Sequence, residues 1–182
     1  SGQEGNDFFR MENLSENIVN AGIGTGYPSA STFSSTHNLA TKQMYRQMGM
    51  SQSNVHYGFY GATPFSAALL NVKYLYGTED AQINDLYTRA HQADDGLMLF
   101  ESKSWLPFGY MAPAGYDMNA VSDPDAAHGI RLQNDLVRKL GIAEPLFEQC
   151  GTVNADDCVT CGTQRDGIYY RSEEHTSELQ SR

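Results

Sequence analysis

Apolar and polar positions alternate and cluster in short segments along this chain. Phe8-Phe9-Arg10-Met11-Glu12 is aromatic-rich and weakly alternating, which predicts a strand. Asn13 to Asn20 is polar and predicts a loop, and Gly22-Ile23-Gly24-Thr25-Gly26-Tyr27-Pro28 is dense in turn formers. Thr32-Phe33-Ser34 fits a short strand. Leu39, Met44, Tyr45 and Met48 then recur at near-helical spacing behind the cap candidates Ser35 to Asn38. Gly49 stands where a left-handed C-terminal residue is wanted, so a helix is predicted over 38–48. Thr63-Pro64 repeats the start signal, an N-cap followed by proline at the first helical position, and predicts a short helix through Leu70. Val72 to Tyr76 is β-rich and stops at Gly77, which predicts a buried or half-buried strand.

Asp94-Asp95-Gly96 separates two apolar segments, Leu86 to Ala93 and Leu97 to Glu101. That is a hairpin signal, because glycine takes positive φ without steric cost. Phe108 to Met111 predicts a further strand. Asp123-Pro124 opens a helix with Ile130, Leu136, Val137 and Leu140 on its apolar face and Gly141 as its stop. Beyond Leu146 the chain turns polar and carries cysteine. The fold class is α+β, with short helices interleaved with antiparallel hairpin strands and an incomplete domain.

Length and charge narrow the picture. A chain of 182 residues fits one domain, and 40% hydrophobic content with 11% aromatic is enough to build a core. The net charge of −10 argues against sequence-independent nucleic-acid binding, which needs a positive face to displace counterions from phosphate. Apolar runs are a handful of residues, far short of the ~20 that span a bilayer. Ser1 is not followed by a charged and then apolar leader. Arg171 to Ser181 breaks with the preceding texture and resembles the translation of a sequencing adapter. Residues 171–182 are therefore set apart as an artefactual tail, and 1–170 are expected to be part of a longer protein.

Four groups of residues carry candidate chemistry. Gly22-x-Gly24-x-Gly26 suggests a phosphate loop, but Pro28 and a Ser/Thr-rich run follow where a helix should open, so a flexible turn is preferred. Asp94-Asp95 and Asp156-Asp157 are adjacent carboxylates. Glycoside hydrolysis needs two carboxyls facing each other across a cleft, so these read as turn residues. Ser34-Ser35-Thr36-His37-Asn38 places hydroxyls, an imidazole and an amide at a loop-to-helix junction, where sugars and phosphates can be held. Ser34, Ser35, His37 and Asn38 are the ligand-binding candidates, against simple helix capping, which needs only one of them. A Ser–His nucleophile there lacks an acid partner. Tyr27, Tyr57, Phe59, Tyr60 and Trp105 could stack on sugars, but core packing is the commoner use of such side chains.

Taken in order, four segments resemble one family. They are Phe8 to Glu12, Phe33 to Asn38, Ala68 to Leu75, and Gly96 to Glu101 continuing through Leu106-Pro107-Phe108-Gly109-Tyr110, with a weaker fifth from Gln133 to Gly141. Together they resemble the extracytoplasmic C-terminal region of YfhO-type bacterial membrane proteins over about residues 6 to 148. The resemblance implies a polytopic membrane protein related to GT-C-type glycosyltransferases. Such a protein would decorate lipoteichoic or wall teichoic acid, or a related cell-envelope glycopolymer, from a polyprenyl-phosphate sugar on the outer membrane face. No cofactor is expected, and the acidic charge stands against a nucleic-acid partner. The catalytic carboxylate is expected in an early loop that this segment does not include, so no catalytic residue carries over.

Cys150, Cys158 and Cys161 form Cys-x7-Cys-x2-Cys and have no counterpart in that resemblance. A zinc site wants four ligands, and the extracytoplasmic setting implied by the family favours a disulfide instead of a metal, with one cysteine left unpaired or a fourth lying in the missing sequence. Two functions follow from the sequence. One is a non-catalytic part of a membrane glycosyltransferase-like protein, and the alternative is a free carbohydrate-binding or cell-surface interaction module. Transmembrane helices encoded upstream would mark the first, and a lone signal peptide the second. A secreted hydrolase ranks third.

Overall fold

A computed structural model describes residues 8–14, 20–36, 38–79, 85–114, 129–148, 151–153 and 159–161, the last two as backbone only. In chain order the elements are β1 (Arg10–Asn13), α1 (Ala21–Thr25), β2 (Thr32–Phe33), α2 (Leu39–Gln47), β3 (His56–Tyr57), α3 (Pro64–Leu69), β4 (Val72–Gly77), β5 (Tyr87–Gln92), β6 (Met98–Ser102), α4 (Gly129–Lys139), β7 (Gly151–Val153) and β8 (Val159–Cys161). The main sheet has four strands in the order β1-β4-β6-β5. Strand β1 runs parallel to β4 and the other pairs are antiparallel. Two two-stranded antiparallel sheets, β2–β3 across α2 and β7–β8, complete an α+β fold.

Local chemistry accounts for most of these elements. Asn38 caps α2, its Oδ1 accepting from the backbone N–H of Ala40 (2.9 Å) and Thr41 (3.3 Å), and Gly49 follows the helix with φ 76°. Thr63 and Ser66 form a reciprocal capping box on α3 with Pro64 at the first turn. Asn71 takes φ 58° and turns the chain directly from α3 into β4, and its Nδ2 donates to the Leu106 carbonyl at 2.7 Å. The predicted hairpin is β5–β6, turning at Gly96 with φ 86°. Asp95 accepts from the Leu97 N–H at 3.1 Å, so this carboxylate serves the turn.

Strand β4 is half-buried, and its burial does not follow strict alternation. Val72, Leu75 and Gly77 face inward, whereas Lys73, Tyr74 and Tyr76 are partly exposed. Pairing explains the phase slip. Arg10 lies opposite Val72 and Met11 opposite Tyr74, so Lys73 is an extra, bulged residue that turns the following side chains over by one step. The inward face joins Met98 and Phe100 of β6 to Tyr45 of α2, Met48, Met50, Leu70, and Leu132 and Leu136 of α4 in one core. Helix α4 brings Leu132, Gln133, Leu136 and Val137 inward, close to the predicted apolar face.

Three expectations need amendment. Residues 22–28 contain a single helical turn, α1, ended by Gly26 with φ 80°. A Cβ at Gly22 would lie 2.4 Å from the Tyr27 carbonyl oxygen, so this glycine permits the chain to fold back on itself. Phe108 to Met111 forms no strand; the Leu106 carbonyl just before it is held by Asn71, and Phe108 packs edge to face on Phe8. Strands β7 and β8 fall in the region read only as polar. The Asp123-Pro124 cap lies outside the described residues.

Candidate functional site

The run singled out for ligand binding is a capped turn. Ser34 Oγ donates to the Thr36 carbonyl at 3.1 Å and accepts from the Thr36 N–H at 3.2 Å, while Asn38 Oδ1 closes the first turn of α2. Ser35 and Asn38 are exposed and Ser34 is partly so. His37 lies outside the described residues. Asn38→Ala is expected to cost about 1 kcal/mol of stability and Asn38→Asp to retain it, read by chemical denaturation, because the aspartate oxygen keeps the same two N–H partners.

The aromatic candidates do not share one surface. Tyr27 meets Tyr76, with ring centroids 5.6 Å apart and hydroxyls 2.6 Å apart. Tyr57 packs against Tyr45 at 4.7 Å and Phe59 against the core. Tyr60 is exposed, and Trp105 sits beside Lys73. Cys161 lies in β8 opposite Gly151, and Cys150, Cys158 and Asp156-Asp157 lie outside the described residues.

Two buried polar centres escaped sequence reading. The first is Glu12 in β1, which is 3% exposed. Its Oε1 accepts from Ser29 Oγ (2.8 Å), the Ala30 N–H and the Ser31 N–H (3.1 Å), and its Oε2 accepts from Ser31 Oγ (2.8 Å). Ser31 Oγ in turn accepts from the Phe59 N–H at 2.9 Å, and Tyr45 donates its hydroxyl to the Ala30 carbonyl. Burial pushes the Glu12 carboxyl above its ordinary 4.5, with the four donors pulling the other way. Its one sequence signal is a carboxylate that closes the aromatic-rich, weakly alternating run Phe8-Phe9-Arg10-Met11. The second is Gln133, fully buried on α4, which accepts from the Thr63 hydroxyl and donates to the Met48 carbonyl at 3.0 Å. It ties α4 to the start of α3 and the end of α2.

His56 is held between two serines, with Ser51 Oγ 3.2 Å from Nε2 and Ser53 Oγ 2.6 Å from Nδ1. A serine occupies the nitrogen where a catalytic carboxylate would orient the ring, and Ser53 also accepts the N–H groups of Val55 and His56 as a turn former.

A third cluster gathers where β1 and β4 begin and β6 ends. The bulged Lys73 places its ammonium 5.6 Å from the Phe9 ring, 5.1 Å from Tyr74 and 5.0 Å from Trp105, with Glu101 at 3.5 Å. Beside it Arg10 lies 5.6 Å from Phe8 and 5.8 Å from Phe108, and donates to the Leu70 carbonyl at 2.7 Å. Three of the four segments that carry the family resemblance thus meet at one sheet end.

Among the described residues no helix is long and apolar enough to cross a membrane, and no three His, Cys, Asp or Glu side chains are placed to hold a metal ion. Fold and side-chain geometry together define a mixed α+β domain in which buried Glu12 and Gln133 are hydrogen-bonded by groups of the same chain, with a cation–aromatic cluster at one end of its sheet. The chain belongs to the YfhO family of bacterial membrane proteins, whose family model matches residues 1–174. No curated protein and no solved structure matches it.

Proposed function

We propose that this chain is a non-catalytic, extracytoplasmic part of a polytopic membrane glycosyltransferase-like protein. That protein acts on lipoteichoic or teichoic acid, or a related cell-envelope glycopolymer, and draws sugar from a polyprenyl-phosphate donor. The observation that carries the reading is the match to a bacterial membrane protein family along nearly the whole chain. The side chains support the non-catalytic role. Glu12 is the buried carboxylate among the described residues, and it spends its lone pairs on four donors from its own chain. A general acid or base must keep a lone pair or proton for substrate. Asp94 and Asp95 lie exposed on a turn.

The test is transfer of radiolabelled sugar from a polyprenyl-phosphate donor to teichoic acid. The purified 182-residue chain is expected to transfer none, while the intact membrane protein reconstituted in vesicles transfers sugar. Turnover by the chain alone would place catalytic groups within it and overturn the reading.

A further inference from the structure

We propose that the sheet end formed by the starts of β1 and β4, the end of β6 and the 105–111 loop is a membrane-contact surface, seated in the phospholipid headgroup layer. The inference rests on membership of a membrane protein family and does not depend on the glycosyl-transfer reading.

The surface is apolar and open. Met111 is 98% exposed, Phe108 67% and Phe8 46%, and Phe8 and Phe108 pack edge to face with centroids 5.2 Å apart. Exposed apolar groups that adjoin one another, unlike single ones, mark a surface that meets something. It is also locally cationic on a chain of net charge −10. Among the described residues Arg10, Lys73 and Lys103 lie here against the partly exposed Glu101 and the exposed Asp85, whose backbone carbonyl accepts from Lys103 at 2.5 Å, since Glu12 points into the core. Rings that lie level with the headgroups, and long cationic stems that run along apolar surface to reach phosphate, are the composition of a membrane–water boundary. Arg10 commits one N–H to the Leu70 carbonyl, and the guanidinium carries further donors that can meet phosphate.

Two other occupants fit less well. A sugar stacks on open ring faces, and the faces of Phe9, Tyr74 and Trp105 are turned to the Lys73 ammonium. The centre of a protein–protein interface is depleted of lysine, whereas here Lys73 stands amid the aromatic side chains. Anionic lipid satisfies both the cations and the rings.

The chain holds a single tryptophan, Trp105, so its fluorescence reports this surface alone. The 182-residue chain is titrated with vesicles of phosphatidylcholine, with and without phosphatidylglycerol. A blue shift of Trp105 emission is expected, stronger with phosphatidylglycerol and weakened by salt, together with quenching by lipids brominated near the headgroup. The double variant Phe108→Ser, Met111→Ser changes two exposed side chains, so its circular dichroism should match the parent. It should partition about tenfold less, or weaker still, because the apolar area it would bury is gone. Arg10→Gln with Lys73→Gln and Lys103→Gln should abolish the preference for phosphatidylglycerol. Absence of both shift and co-sedimentation overturns the proposal, and so does binding that ignores the Phe108 and Met111 changes. A shift caused by soluble teichoic acid or by self-association at high concentration, with none from vesicles, also overturns it.

Discussion

Phe100→Ala is expected to lower the free energy of unfolding by about 3–5 kcal/mol, which is a large part of the roughly 5–15 kcal/mol that a domain of this size holds. Phe100 is 3% exposed and sits on β6 opposite Leu75 on one side and Arg89 on the other, so its ring fills the core at the centre of the sheet. Removing it forfeits the transfer free energy of the ring and leaves a cavity that two flanking strands prevent from collapsing. Urea denaturation should show a lower midpoint with an unchanged slope. Phe108→Ala is the control. That ring is 67% exposed, and its loss should change stability by no more than about 0.5 kcal/mol. Equal losses from both rings would mean that the core does not lie where the burial places it.

Glu12→Ala is expected to be nearly as damaging. It strips the acceptor from two serine hydroxyls and two backbone N–H groups, and each buried donor left unpaired costs about 1–3 kcal/mol. Glu12→Gln should be far milder, because an amide oxygen still accepts from the backbone and a serine hydroxyl can rotate to accept from the amide nitrogen. The pH dependence separates charge from shape. Burial raises the folded carboxyl above its ordinary 4.5, so over the interval between the two values the folded chain holds more protons than the unfolded chain. The stability this group contributes is therefore fully present below 4.5 and is lost as pH rises through the folded value. The melting temperature of the parent relative to Glu12→Gln should fall from pH 4.5 toward neutrality. A difference that grows with pH would show that the four donors outweigh burial and hold the carboxyl low.

Capping, turns and helix phase were legible because each is decided within a few residues. Asn38 with Gly49, Thr63 with Pro64 and Ser66, and Asp95 with Gly96 all carry their own explanation in side-chain oxygens and positive φ. The order of aromatic and apolar segments also carried the family, which the match along the chain bears out. The polar centres were illegible for the opposite reason. Glu12 and its serines are separated by 17 and 19 residues, and Gln133 and Thr63 by 70. Nothing near Glu12 in the chain says that a loop will supply it with four donors, and a glutamine on a helix gives no sign that it will be buried beneath a cap. The Ser34 to Asn38 run drew attention because its chemistry is dense in sequence, yet the described side-chain bonds of Ser34 and Asn38 stay within the turn and cap, and only the Ser34 backbone N–H reaches out, to the Val55 carbonyl at 2.9 Å.

By itself the sequence determined the α+β class, the starts and stops of α2 and α3, the β5–β6 turn and the family, because these depend on neighbours or on the order of segments. Only the tertiary structure decided that β1 runs parallel to β4, that Lys73 bulges out among three aromatic rings, and that Glu12 and Gln133 are buried. Pairing between strands some sixty residues apart is set by which faces can be buried together, and that balance is struck across the whole chain. The sheet end with its cations and rings exists for the same reason: three distant segments meet where one extra residue in β4 turns a lysine outward.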